Sequence, residues 1–433
     1  MLHRDVVMDV LGAALAAVDP YRAVLRALEA TQIADAQRVY VLGAGKAGAA
    51  MSRAAEEAFG ERIAGGLVLV KDGHGIPGGE RLGRIELVEA SHPVPDVRGV
   101  AATTRLLDIA DRAGEGDLVV CLISGGGSAL LTAPAEGISL EDVQATTQLL
   151  LRAGATINEL NAVRKHLSQV AGGLLARRAA PADVLSLILS DVTGSPLDVI
   201  ASGPTAPDPT TYAAALAVLG RYALSDRLPP AVLERLRQGE KGVLPETPKP
   251  GDTLFDRVSN HIVASNVMAV EAAASRASEM GLDALIMSTY IEGEAREVGK
   301  VLAGVAKEIA AYGRPVRRPG CVLFGGETTV TVRGSGIGGR NTELALSAAI
   351  ELEGMGPDLV VASLATDGGD GTSPGAGAIA DGTAIARATA LGHDAHAALD
   401  DNDSYTFWAA LGNAITTGPT GTNVNDVMGV FVF

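Results

Sequence analysis

Cysteine is almost missing from this chain, with two in 433 residues. Cys121 lies in DLVVCLIS and Cys321 in GCVLFGG, apolar runs that read as small buried hydrophobes rather than disulfide partners or metal ligands. A reducing compartment fits that usage. No apolar run approaches the ~18 residues that a membrane span requires. The opening segment MLHRDVVMDVLGAALAAVDP places Asp5 and Asp9 in an amphipathic pattern, which a signal peptide would not carry. The expectation is a soluble, cytoplasmic protein. Aromatic residues supply only 3% of the chain, against 53 glycines, a composition suited to tight strand-to-helix turns and close helix-sheet packing.

Positive charge is also short. Thirty-five lysines and arginines face 51 acids, a formal charge of −16, and such a surface repels phosphate backbones and anionic lipids. Neither nucleic acid nor a membrane is an expected partner. Only seven of the cations are lysines. An anionic substrate would need a local positive pocket, so cations within glycine-rich turns are the ones to find.

A chain of this length with 47% hydrophobic residues exceeds what one core usually organises, so two domains are expected. RVYVLG, GLVLVKDG, RIELVEASH, DLVVCLISGGG and DVLSLILSD alternate with alanine- and leucine-rich helical stretches, the βαβ rhythm of a parallel sheet covered on both faces. Ligands in such sheets bind beyond the carboxyl ends of the strands, where the glycines and polar residues of this sequence gather. QGEKGVLPETPKPGDTLFDRVS, rich in proline, glycine and charge, reads as a connection. The fold class is therefore α/β, with an N-terminal doubly wound, Rossmann-like parallel sheet over residues 1–237, a linker over 238–258 and a C-terminal α/β domain over 259–433. GETTVTVRGSG suggests a mixed sheet in the last.

VLGAGKAG is a literal GxGxxG between a strand and a helix, with Gly43, Gly45 and Gly48 as its glycines. A dinucleotide is one reading. Lys46, inside the turn, fits a phosphate or carboxylate instead, and no acid for an adenosine ribose follows at the usual distance. Ala47 after Lys46 rules out a Walker pattern. In SGGGSALL, residues Ser124, Gly125, Gly126, Gly127 and Ser128 follow a buried strand, and their amides can form an anion nest backed by two hydroxyls. Three consecutive glycines exceed what a turn needs.

NELNAVRKHLS places Arg164, Lys165 and His166 on one helix, either as a solvated face or as cations for an anion. Asp191 ends a strand, where a carboxylate can hold Mg²⁺ or accept a hydroxyl proton, though a turn cap is the commoner use. GSGIGGRNTELAL sets Arg340 and Asn341 at a helix start, and the planar fork of Arg340 suits a phosphoryl group. Asp367 and Asp370 share a later loop without the spacing of a calcium site. His74 and His92 lack paired metal spacing, and ASHPVPD around His92 reads as a turn or a substrate-side loop.

Together VLGAGKAG, ASHPVPD, LISGGGSALL, NAVRKHLS, LSDVTGSPLDVIASGPT, GGETTV, GGRNTELAL, ATDGGDGT and TGTNVND, in this order, resemble the motif series of the glycerate 2-kinase family, and the resemblance covers nearly the whole chain. It implies a C-terminal MOFRL domain, an active site in an interdomain cleft, and ATP-dependent phosphorylation of D-glycerate with Mg²⁺. It also implies Lys46 and Arg340 as catalytic residues and Asp191 as base or metal ligand. Gly43, Gly45 and Ser124 to Ser128 would hold ATP, His92, Arg164 and Asn341 the substrate, and Asp191 with Asp367 the metal. Ala171 and Thr342 depart from the lysine and glutamine common in relatives. A homodimer is one assembly this reading allows. The competing expectation is an NAD(P)-dependent hydroxypyruvate reductase, carried by the GxGxxG.

Overall fold

The computed structural model describes residues 3–31, 36–76 and 81–433. They fold as two compact units, one of Pro20–Val263 and one of Met1–Asp19 with Ala264–Phe433. The first unit is built on β1 (Val39–Ala44), β2 (Ile63–Lys71), β3 (Glu86–Ala90), β4 (Leu118–Ile123), β5 (Asp183–Leu189) and β6 (Val258–Ala264). Their order across the sheet is β3-β2-β1-β4-β5-β6, and the first five run parallel. Both faces are covered. Leu42, Leu67 and Leu69 pack with Ala102, Leu106 and Leu107 of the helix Val97–Ala110, whereas Val68 and Val70 lie under the helix Gly48–Phe59, close against Gly48. β1 and β4 are buried along their whole length, which is why they read as unbroken apolar runs rather than alternating ones.

The second unit carries β7 (Asp283–Glu294), β8 (Gly320–Thr329), β9 (Gly356–Ala365), β10 (Gly377–Gly382), β11 (Ala414–Ile415) and β12 (Asp426–Val432), ordered β11-β10-β9-β12-β8-β7. β7 and β8 are parallel and the other pairs antiparallel, so the sheet is mixed as expected. Helices Ala295–Tyr312 and Arg340–Glu351 bury Leu302, Ala306, Leu344 and Ala348 against Val322, Val361 and Val430 of this sheet.

Two boundaries differ from the expected 1–237, 238–258 and 259–433. The first helix, His3–Ala17, belongs to the second unit: it packs along Asn266–Glu279, Asp9 pairs with Arg276 at 2.6 Å, and the Val18 carbonyl accepts from Thr422 Oγ1. The supposed linker is part of the first unit. Glu246 accepts from the Tyr212 amide and contacts His166 Nε2, Thr247 Oγ1 donates to Asp208, and the Pro248 carbonyl accepts the Asp208 amide. Glu246 and Thr247 of this segment are thus spent on fixed internal bonds.

Both cysteines are free and buried, and burial pushes each thiol up to about 12. Among the described residues no helix is long and apolar enough to cross a membrane.

Candidate active site

The strand order of the first unit reverses between β1 and β4, the switch point where ligands bind in open α/β sheets. The two glycine-rich loops leave from these two strands. They do different things.

In the loop after β1 the glycines are filled by protein. A Cβ on Gly43 would overlap the Leu122 carbonyl, and one on Gly45, whose φ is +143°, would overlap Ser124. The amides of this turn are spent internally. Gly45 donates to the Leu69 carbonyl, Lys46 to Gly125, Ala47 to Ser124 Oγ and Gly48 to Gly45. The four amides from Gly45 to Gly48 are therefore spent on packing strand against strand. Gly43 and Gly45 are thus required by close contacts with Leu122 and Ser124.

The loop after β4 is the open one. The N–H groups of Gly125, Gly126 and Ser128 have no acceptor among the described residues. Gly127 is closed by Ala201, whose Cβ would stand 2.7 Å from an added one. Ser124 is buried and its hydroxyl receives the Ala47 amide, so it braces the two loops and faces no ligand. Around the free amides stand Lys46, half-buried and without a carboxylate partner among the described residues, and Asp191, whose carboxylate lies against the Gly125 Cα. His92 closes one side, with Cδ2 3.0 Å from where a Gly126 Cβ would sit.

His92 is held neutral. Burial first, then the nearby Lys46, Lys71 and His74, lower its pKa from 6.5 to about 4. Of these neighbours, Lys71 and His74 were not among the expected site residues: Lys71 ends β2, and the ring Nδ1 of His74 lies 3.2 Å from the Lys46 carbonyl. Lys71 in the run KDG after a strand was the available signal. The His92 shift has a testable sign. Between pH 6.5 and about 4 the unfolded chain binds a proton at this position that the folded chain refuses, so stability falls as pH falls through that window. Thermal melts from pH 7 to 4 should show His92→Gln with a shallower loss than the parent; equal slopes would contradict this.

Beside the loop is a cavity of about 330 Å³ lined by His92, Gly126, Ser128, Gln144, Arg164 and Ser202, among others. Arg164 Nη2 donates to the Ser128 carbonyl at 3.0 Å. No carboxylate pairs with this guanidinium among the described residues, and burial lowers its pKa. Its neighbours on the same helix are structural. Lys165, 1% exposed, bonds Asp208 at 3.2 Å and Asp198 at 3.3 Å, and His166 contacts the Ala162 carbonyl and Glu246.

In the second unit Arg340 is already occupied. Its fork grips Asp426 at 2.6 and 2.9 Å, and Glu327 stands 3.1 Å from Nη1. Burial opposes the charge of Arg340, but the bonds to Asp426 hold its pKa above the usual range. Burial pushes Asp426 up to about 6. Asn341 is buried, with its side chain tied to Asp370 at 3.3 Å and to Ser363 at 2.5 Å, so it faces no ligand. Asp370 caps the helix Arg340–Glu351 through the amides of Asn341 and Thr342. Asp367 is half-buried and accepts the Gly369 amide at 3.0 Å. Within each unit, the described residues contain no group of three or more His, Cys, Asp or Glu placed to hold a metal ion.

A parallel sheet whose switch point carries amides and a lysine without partners among the described residues places the chain in the class of α/β enzymes. Residues 6–237 match the model described as a domain of unknown function, DUF4147, and residues 320–426 match the MOFRL family. The chain is 42% identical to the D-glycerate 2-kinase of Thermotoga maritima over 98% of its length and 97% of that protein's. It is 40% identical to the glycerate 2-kinase of Pyrococcus horikoshii, covering 98% and 96%, and 43% identical to a putative hydroxypyruvate reductase of Agrobacterium vitis, covering 99% and 94%. The crystal structure of the T. maritima glycerate kinase superposes with a TM-score of 0.92, covering 99% of both chains at 42% identity. This chain belongs to the glycerate 2-kinase family.

Proposed function

We propose that this protein phosphorylates D-glycerate at its 2-hydroxyl, with ATP as donor and Mg²⁺ as the accompanying ion. The observation that carries the reading is the open loop after β4 beside Lys46, which has no carboxylate partner among the described residues, because together they offer amide donors and a cation to a phosphoryl group. Phosphoryl transfer asks chiefly for positioning and charge neutralisation. The amides of Gly125, Gly126 and Ser128 hold the phosphate oxygens. Lys46 neutralises charge on the moving group, and Arg164 meets the glycerate carboxylate from the cavity wall.

Mg²⁺ takes few protein ligands when phosphates and waters supply the rest, so a hard oxygen donor such as Asp191 against the amide loop fits it. When bound, the ion neutralises phosphate charge. Asp367 and Arg340 are the second unit's proposed contributions, as a carboxylate donor and a charge-neutralising guanidinium. For Arg340 this requires loosening from Glu327 or Asp426.

Phosphorus NMR of purified protein with D-glycerate, ATP and Mg²⁺ tests the reading. ADP and 2-phosphoglycerate should appear together. Hydroxypyruvate reduction by NADH, with no phosphorus transfer, would overturn it.

A further inference from the structure

Ser128 stands at the edge of the 330 Å³ cavity, and its hydroxyl is the end of a hydrogen-bonded chain whose direction the structure determines. The chain begins at Asn161, 2% exposed, whose Nδ2 faces the Val199 carbonyl at 3.5 Å. A carbonyl can only accept, so the amide nitrogen belongs on that side and Oδ1 on the other. Asn161 Oδ1 then accepts the hydroxyl of Ser202 at 3.0 Å. Ser202, 3% exposed, has one proton and has given it away. In the 2.8 Å contact between Ser128 Oγ and Ser202 Oγ, Ser128 must therefore be the donor.

The consequence is chemical. The sequence suggests a hydroxyl that would help the amides donate to phosphate, but the Ser128 proton is committed inward and only lone pairs face the cavity. A phosphate or carboxylate oxygen meeting Ser128 Oγ would find two acceptors opposed. An O–H group would be matched. The backbone here is shaped to keep the chain in place: Ala201 and Ser202 hold φ of +50° and +60°, a region side-chain-bearing residues seldom occupy, and Ala201 presses on Gly127. The guanidinium that donates to the Ser128 carbonyl, Arg164, lines the cavity and has no carboxylate partner among the described residues. A cation and a hydroxyl acceptor on one wall call for a ligand bearing a carboxylate and, a carbon or two away, a hydroxyl.

We propose that Ser128 is a specificity-determining residue that accepts a hydrogen bond from the 3-hydroxyl of D-glycerate, the hydroxyl that does not react, with Ser202 and Asn161 as positioning residues that fix Ser128 as an acceptor. This rests on the transfer being to the 2-hydroxyl. It separates glycerate from D-lactate, which carries a methyl group where glycerate carries a hydroxymethyl group, and which would leave the Ser128 lone pairs unmatched.

The test is the ratio of kcat/KM for D-glycerate to that for D-lactate. In Ser128→Ala the ratio should fall about tenfold or more, through lost turnover of glycerate rather than of lactate, because the half-buried acceptor that discriminates is gone. Asn161→Asp keeps an oxygen acceptor toward Ser202 and should keep most of the preference. Asn161→Ala frees the Ser202 proton, lets the chain reverse, and should lower the ratio through the KM for glycerate. An unchanged ratio in both Ser128→Ala and Asn161→Ala, with glycerate still phosphorylated, would overturn the proposal and leave the kinase reading standing. Parent enzyme that does not phosphorylate glycerate at all would remove the kinase reading, and this proposal with it.

Discussion

Lys46→Ala should lower glycerate turnover by about 10² to 10³-fold or more while the melting temperature stays close to that of the parent. The magnitude follows from removing one preorganised charge from a site where charge moves during the reaction. The unchanged stability follows from what Lys46 does not do: it has no carboxylate partner among the described residues, so its loss leaves no buried charge alone. A second readout distinguishes this from a packing defect. Lys46 is among the charges that depress His92, after burial itself, so the His92 pKa should rise from about 4 in the variant. Ring proton shifts followed by NMR titration, beside steady-state kinetics, check both. A variant that melts far lower, or keeps its turnover, would contradict the assignment.

Asp208→Ala should cost about 3–5 kcal/mol of folding stability, the scale for stripping a buried ion of its partner. Asp208 is fully buried, and through Lys165, Thr210 and Thr247 it joins the helix Ile157–His166 to the segment after Glu240. Lys165 would keep only Asp198, whose side chain is one-third exposed. The double variant Lys165→Met with Asp208→Ala should recover part of the loss, since no buried ammonium remains to be compensated. Denaturant unfolding of the two variants and the parent measures this. A cost below about 1 kcal/mol for the single variant would show the pair to be dispensable.

How much of this could be read from residue order depends on the range of the interaction. The strand-turn-helix around Lys46 and the SGGGS loop were legible because their signal is local: an apolar run, then glycines, then small residues. The parallel character of the first sheet followed from the βαβ rhythm, but not its strand order. Which glycines open a site and which close a gap was not legible, because Gly45 is required by Ser124, which is distant in sequence. The His3–Ala17 helix carries no mark of its partner Arg276, and the segment after Glu240 looks like a linker until Asp208 and His166 are brought to it. Arg340 and Asn341 read as site residues from their place at a helix start. That Asp426 and Asp370 occupy them is tertiary information.

In the proposed function a phosphoryl group is held at the β1/β4 switch point by an amide loop and by Lys46, which has no carboxylate partner among the described residues. A crystal structure with a non-hydrolysable ATP analogue and Mg²⁺ tests this directly. Phosphate oxygens should accept from the amides of Gly125, Gly126 or Ser128, with the Lys46 ammonium on the terminal phosphate or on the acceptor. Phosphates bound away from these amides, with the loop after β4 unchanged and empty, would contradict it.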